Sequence, residues 1–190
     1  SLDHPAFDLL ERPFVKYVGN QPKRAQEHFH GLREAKKDLF GVAIYDRLEQ
    51  ELPADPSLKM SMWKRRELEN YLATEETLLA FAEAAGREAN GELFGAEWRA
   101  SMEGAIRKIQ AALSDLGRPS AWSADIKASD EFLGPLFQTF YKGLGLPNLM
   151  QKTNFHELAR FVPASAIDTE IRDKLDMIAE VAGRARPKRV

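Results

Sequence analysis

Chemistry in this chain has to come from carboxylates, lysines and histidines, because its 190 residues include no cysteine. That removes disulfides, thiolate metal sites and cysteine nucleophiles together, and it agrees with a reducing, cytoplasmic setting. The most suggestive carboxylate is Asp46, which ends the nearly continuous apolar run Phe40-Gly41-Val42-Ala43-Ile44-Tyr45. A run of that length suits a strand covered on both faces, and open α/β sheets place their ligands at the carboxyl ends of such strands. Asp46 is therefore either a ligand-site carboxylate or the cap of a turn. The four histidines, His4, His28, His30 and His156, show no metal-ligand spacing; His28 and His30 point to different faces of a helix, and all four read as non-ligands. Lys64-Arg65-Arg66, with Lys23 and Arg24, could guide a nucleic-acid backbone or form a solvated face. The formal net charge of -2 confines any nucleic-acid contact to local patches, bound cations or another part of a larger protein.

These residues need a scaffold, and the composition supplies one: 44% hydrophobic and 29% charged residues are the balance of a globular domain with a real core. No apolar run approaches the roughly 20 residues that span a bilayer, so no membrane partner is expected. Phe14-Val15-Lys16-Tyr17-Val18 reads as a strand ended by Gly19-Asn20. Asn20 then caps a helix running to about Lys37, with Pro22 in its first turn and Ala25, Phe29, Leu32 and Ala35 on its buried face. Strand, helix and the run at 40–45 make a parallel βαβ unit. Residues 52–58 form a loop, and residues 59–63 are a candidate third strand.

From residue 66 the pattern turns helical. Short helices are expected at 66–72 and 153–161, and a helix capped by Thr74 reaches about Glu88. A long helix from Glu97 to Leu116 buries Met102, Ala105, Ile106, Ile109 and Leu113 and stops at Gly117. Ser129 opens a helix to Gly143 that Gly134-Pro135 should kink. Its stripe Leu133, Leu136, Phe137, Phe140 and Tyr141 reads as core or an inter-domain seam. Ser165 and Asp168 form a capping-box-like start for a last helix with Ile171, Leu175, Ile178 and Ala182 inward, followed by a basic tail at 184–189. The fold class is helix-rich α/β: a partial parallel sheet in residues 1–72 and a helical extension over 73–190.

Three stretches carry a family resemblance: Pro13 to Asn20 leading into Gly41-Val42-Ala43-Ile44-Tyr45-Asp46-Arg47; Trp63-Lys64-Arg65-Arg66-Glu67-Leu68-Glu69-Asn70-Tyr71-Leu72; and Lys152 with the helix behind it. In this order they resemble the TOPRIM region of the overcoming-lysogenization-defect family and related AAA or ABC-type ATPases, many of them phage-defence proteins. The Glu69-Asn70-Tyr71-Leu72 segment is the most specific part. The resemblance covers most of the chain and implies a metal-dependent DNA endonuclease module attached to an ATPase. Clustered carboxylates at strand ends would hold Mg²⁺ or Mn²⁺, hard cations that prefer oxygen, and two such ions activate a water and stabilise a leaving oxygen.

By that resemblance Asp46 and Glu69 are metal ligands, Glu69 also serves catalysis, and Lys152 steadies transition-state charge. The family's second aspartate falls at Leu48, which cannot ligate a metal, with Glu49 and Glu51 nearby. Its first-strand glutamate has no match; by the family's order it precedes residue 1, since residues 2–11 look like the following helix. No Walker-type loop is present, so ATP would act only through the protein's own upstream ATPase domain. The chain thus reads as a piece of a longer protein, weak or inactive alone, with DNA as substrate. The alternative is a catalytically degenerate TOPRIM-like domain for docking or homodimerisation. A third reading, a plain helical protein-binding domain, would lack the βαβ unit at 14–46.

Overall fold

The computed structural model describes residues 4–11 and 13–185. Their elements in chain order are α1 (Ala6–Leu10), α2 (Pro22–Ala35), β1 (Gly41–Tyr45), β2 (Leu58–Met62), a 3₁₀ turn (Leu68–Tyr71), α3 (Glu75–Asn90) and α4 (Glu92–Asp115). A π-helical turn (Ala128–Leu133) then leads into α5 (Gly134–Gly143), a 3₁₀ segment (Lys152–Phe161), a short 3₁₀ turn (Ala164–Ala166) and α6 (Thr169–Arg184). The class is helix-rich α/β with a small parallel sheet. Two compact units divide the chain: one runs to Trp63 and takes in Asp168 onward, the other is Lys64–Ile167. The segment 64–72 thus folds with the helices that follow it. Among the described residues no helix is long and apolar enough to cross a membrane.

In the first unit β1 pairs in parallel with β2, Gly41 opposite Leu58 and Tyr45 opposite Met62. The expected strand at 14–18 is not formed. That stretch pairs with nothing among the described residues, and Phe14, Val15 and Tyr17 stand 81%, 68% and 90% exposed. Aromatic and β-branched residues favour a pleated, half-buried surface, but without a neighbouring strand to complete the ladder that preference has nothing to act on. The βαβ unit at 14–46 is therefore replaced by a pair in which the residues joining β1 to β2 contain no helix. With so little sheet around it, β1 is half-buried up to Tyr45 rather than covered on both faces.

Helix α2 starts as expected, with Pro22 at the N-terminal turn, where a missing N–H costs nothing. Its cap position is Gln21, and its buried residues are Pro22, Ala25 and Phe29, with Leu32 half-buried and Ala35 exposed. At the other end of the unit α6 is capped by Asp168, which accepts from Glu170 N–H at 2.9 Å, rather than by Ser165. The basic tail expected at 184–189 lies mostly outside the described residues.

The second unit holds the larger core. Helices α3 and α4 form a hairpin around Gly91, α4 beginning five residues before the expected Glu97. Their close approach depends on Gly86, where a Cβ would stand 2.7 Å from the Phe94 carbonyl oxygen and 2.8 Å from the Trp98 ring. The expected inward residues Met102, Ala105, Ile106 and Leu113 are buried against Leu136, Phe137, Phe140 and Tyr141 of α5, so that stripe is core. Phe137 meets Phe81 edge-on at 5.4 Å and stacks on Phe155 at 5.9 Å. The kink anticipated at Gly134-Pro135 is taken up as the π turn before α5. Because Phe137 is wholly buried between aromatic partners, Phe137→Ala should lower unfolding free energy by about 3–5 kcal/mol, read as a lower urea midpoint.

Candidate functional site

The carboxyl end of the parallel pair is the part of the first unit best placed for chemistry. Asp46 follows Tyr45, whose register partner is Met62, so its carboxyl stands just past the end of β1. Asn20 holds it from both sides: the amide Nδ2 donates to Asp46 Oδ2 at 2.8 Å, and the Asp46 N–H donates to Asn20 Oδ1 at 3.0 Å. Asn20 was expected to cap α2; it grips the strand end instead. Leu48 is half-buried with its N–H 3.4 Å from the Met62 sulfur, while Glu49 and Glu51 are exposed. Beside Asp46 the Tyr45 hydroxyl is buried with no hydrogen-bond partner among the described residues, and burial pushes its pKa up.

A lysine that sequence reasoning missed sits at the same strand ends. Lys174, on α6, donates from Nζ to Ser61 Oγ at 2.7 Å and to the Met62 carbonyl at 2.8 Å. It pairs with the buried Glu170 at 3.2 Å and lies 5.4 Å from the Trp63 ring centroid. A buried carboxylate is tolerable only when paired, and the ammonium gains from the ring face as well. The one signal in the sequence was a Glu170–Lys174 spacing of four among inward apolar positions, which also fits any exposed helical pair.

The start of β2 is set by Asp55. Its Oδ1 accepts from the N–H groups of Ser57 and Leu58, both at 2.9 Å, and its Oδ2 is 2.7 Å from His30 Nε2 on α2. Burial alone would raise the Asp55 pKa, but the two N–H donors and His30 outweigh it and hold the carboxyl below its ordinary range. Of the other histidines described, His4 Nε2 is 3.2 Å from Asp176 and His156 Nδ1 is 2.9 Å from the Thr153 carbonyl, while His28 Nε2 is buried with no hydrogen-bond partner among the described residues.

In the second unit the two glutamates of the 67–72 segment have different surroundings. Glu67 is buried and its carboxylate accepts from the Ser129 N–H at the start of the π turn. Asn70 is buried beside it: Oδ1 accepts from Glu67 N–H at 3.1 Å, and Nδ2 donates to the Ser123 and Ile126 carbonyls at 3.0 Å each. The Tyr71 hydroxyl accepts from Arg65 N–H at 3.2 Å, with the Arg65 guanidinium over its ring. Glu69 is half-buried on the 3₁₀ turn, its carbonyl accepting from Leu72 and Ala73. Lys152 donates to Asp130 Oδ1 at 2.6 Å, and Lys127 pairs with the same carboxylate. Lys127 first and Lys152 second keep the Asp130 carboxyl below its usual range.

The expected site residues are therefore split: Asp46 belongs to the first unit, Glu69 and Lys152 to the second. Among the described residues no group of three or more His, Asp or Glu side chains could hold a metal ion. Asp46 offers oxygen, the ligand type Mg²⁺ and Mn²⁺ prefer, but Leu48 cannot contribute, so the described donors do not complete such a site. No family model, curated protein or solved structure matches this chain.

Two outcomes test this geometry. Asn70→Ala removes three hydrogen bonds, two of them buried, and should cost about 2–4 kcal/mol of stability in urea unfolding. For Asp55 the folded pKa lies below the unfolded value, so its stabilisation is present above the unfolded carboxylate range, about pH 4, and is lost as pH falls through the folded value. The urea midpoint of the parent should therefore fall on acidification, and Asp55→Asn should flatten that slope.

Proposed function

We propose that this chain is a TOPRIM-like module of an ATPase-linked, metal-dependent DNA endonuclease of the phage-defence type. The observation that supports it is the strand-end arrangement: a carboxylate, Asp46, directly past β1 of a parallel pair and fixed by Asn20. Parallel strands present their carboxyl ends to ligands, and a carboxylate there is where a metal-assisted phosphodiester hydrolase needs one. In this reading Asp46 is a metal ligand and Glu69 an acidic partner. Lys152 can meet transition-state charge only after leaving Asp130. ATP acts through a separate domain.

A second reading, a catalytically degenerate docking or dimerisation module, is favoured by Leu48 at the second aspartate's position and by the lack of a three-carboxylate group among the described residues. The unpaired, exposed Phe14-Val15-Lys16-Tyr17 stretch also belongs to that reading, since exposed apolar surface suits an interaction site. The absence of a parallel βαβ unit at 14–46 counts against both TOPRIM readings and is what a plain helical protein-binding domain predicts; the parallel β1–β2 pair is the part of the expected sheet that is formed.

Calorimetric titration with Mn²⁺ separates the readings. The metal-site reading expects saturable binding by the parent chain that Asp46→Ala abolishes, with its circular dichroism unchanged. Heats indistinguishable from dilution in the parent would count against a complete metal site in this chain and favour the docking reading.

A further inference from the structure

The two outer edges of the small parallel sheet in the first unit are finished differently. The Gly41 N–H donates to the Ser57 carbonyl and the Trp63 N–H to the Tyr45 carbonyl, so Gly41 and Tyr45 face β2. Backbone groups alternate in direction along a strand. Val42, Ile44 and Asp46 therefore direct theirs away from β2, and Leu58, Met60 and Met62 direct theirs away from β1. The β2 edge is blunted at both ends by side chains. Asp55 Oδ1 accepts from the Leu58 N–H at 2.9 Å, and Lys174 Nζ donates to the Met62 carbonyl at 2.8 Å. A carboxylate and a lysine in those places keep another strand from adding there.

The β1 edge is left open. Asn20 Oδ1 accepts from the Asp46 N–H at 3.0 Å, at the far end of that edge. Between there and Gly41, the outward N–H and carbonyl groups of Val42 and Ile44 have no hydrogen-bond partner among the described residues. Backbone groups aligned this way are a template for one more strand.

The same unit carries a strand without a sheet. Residues 13–19 make no backbone hydrogen bond among the described residues, and Phe14, Val15 and Tyr17 are exposed. Alternation puts Phe14 and Val18 on one face of this arm and Val15 and Tyr17 on the other, the composition of a strand covered on both sides. The arm leaves from a fixed point. Asn20 is pinned to Asp46 by two hydrogen bonds, and Gly19 before it takes a positive φ of 51°, which glycine adopts without strain. Each molecule thus offers one open strand edge and one unpaired strand. Two copies that exchange arms satisfy both at once, with the same patch contributed by each, as in an isologous strand-swapped dimer.

We propose that this chain forms a homodimer in which residues 14–18 of each copy add as a strand to the open β1 edge of the other. The proposal rests on the docking or dimerisation reading and names its partner, a second copy. Sedimentation velocity of the full chain is measured in EDTA across a wide range of loading concentrations. The comparison is Val15→Pro/Lys16→Pro, which removes a ladder donor from each side of the arm at two exposed positions. The parent should show a reversible monomer–dimer equilibrium that the proline pair weakens about tenfold or more. Circular dichroism and the urea midpoint of the monomer should not change. Because the chain has no cysteine of its own, introduced thiols locate the contact. Chains bearing Lys16→Cys, mixed with chains bearing Val42→Cys, should be joined to each other by a short bismaleimide. A dimer that the proline pair leaves intact would overturn this interface while keeping the docking reading. A parent that stays monomeric at every loading would overturn the proposal. So would a Lys16→Cys/Val42→Cys double variant joined only within one chain, which would assign the arm to its own β1. The docking reading fails separately, on saturable Mn²⁺ binding that Asp46→Ala abolishes.

Discussion

The buried polar junction of Glu67 and Asn70 is the constraint on which the second unit depends. Asn70 uses its amide on three backbone groups, one in its own turn and two in the loop before the π turn, while the Glu67 carboxylate accepts from Ser129 N–H as α5 is approached. An isolated 3₁₀ turn of four residues has little stability of its own. Its side chains satisfy backbone groups that helical bonding cannot reach, and in return the loop at 123–129 gains a defined path. The aromatic core of Phe81, Phe137 and Phe155 then packs against helices whose starts are already set. Leaving any one of these buried polar groups unpaired costs more than the hydrogen bond it makes is worth.

The segment with the most specific family resemblance is thus, in large part, a structural device. Glu67, Asn70 and Tyr71 are committed to holding the chain, while Glu69 stands half-exposed. A motif read as chemistry and a motif read as architecture can share the same letters, since both need polar groups at fixed spacing. The first unit shows the converse. Asn20 and Lys174 drew no attention as site residues, yet both converge on the carboxyl ends of β1 and β2, one on Asp46 and the other on Ser61 and Met62. Lys174 neutralises Glu170 and anchors α6 to β2 in one stroke, so charge and packing at this end are coupled.

Local rules were legible wherever a residue's own neighbours along the chain decide the outcome. The Thr74 cap, the Pro22 start of α2, the strand at 41–45 and the buried stripe of α4 all follow from capping chemistry and from periodicity of 3.6 or a short apolar run. The stretch at 14–18 shows the limit. Its composition is that of a strand, but a strand exists only through hydrogen bonds to another, and composition does not name the partner.

The sequence by itself determined the helix-rich α/β class, most of the helices, the absence of thiol chemistry, and the position of Asp46 directly after an apolar strand. Each of these depends on residues close together along the chain. Tertiary structure alone decided that Asn20 grips Asp46 instead of capping α2, that Lys174 reaches the end of β2 from over a hundred positions away, and that Lys152 is bound to Asp130. It also decided that the loop before α5 closes on Glu67 and Asn70. These contacts depend on which distant backbone groups are left without partners, and that is known only once the chain has folded.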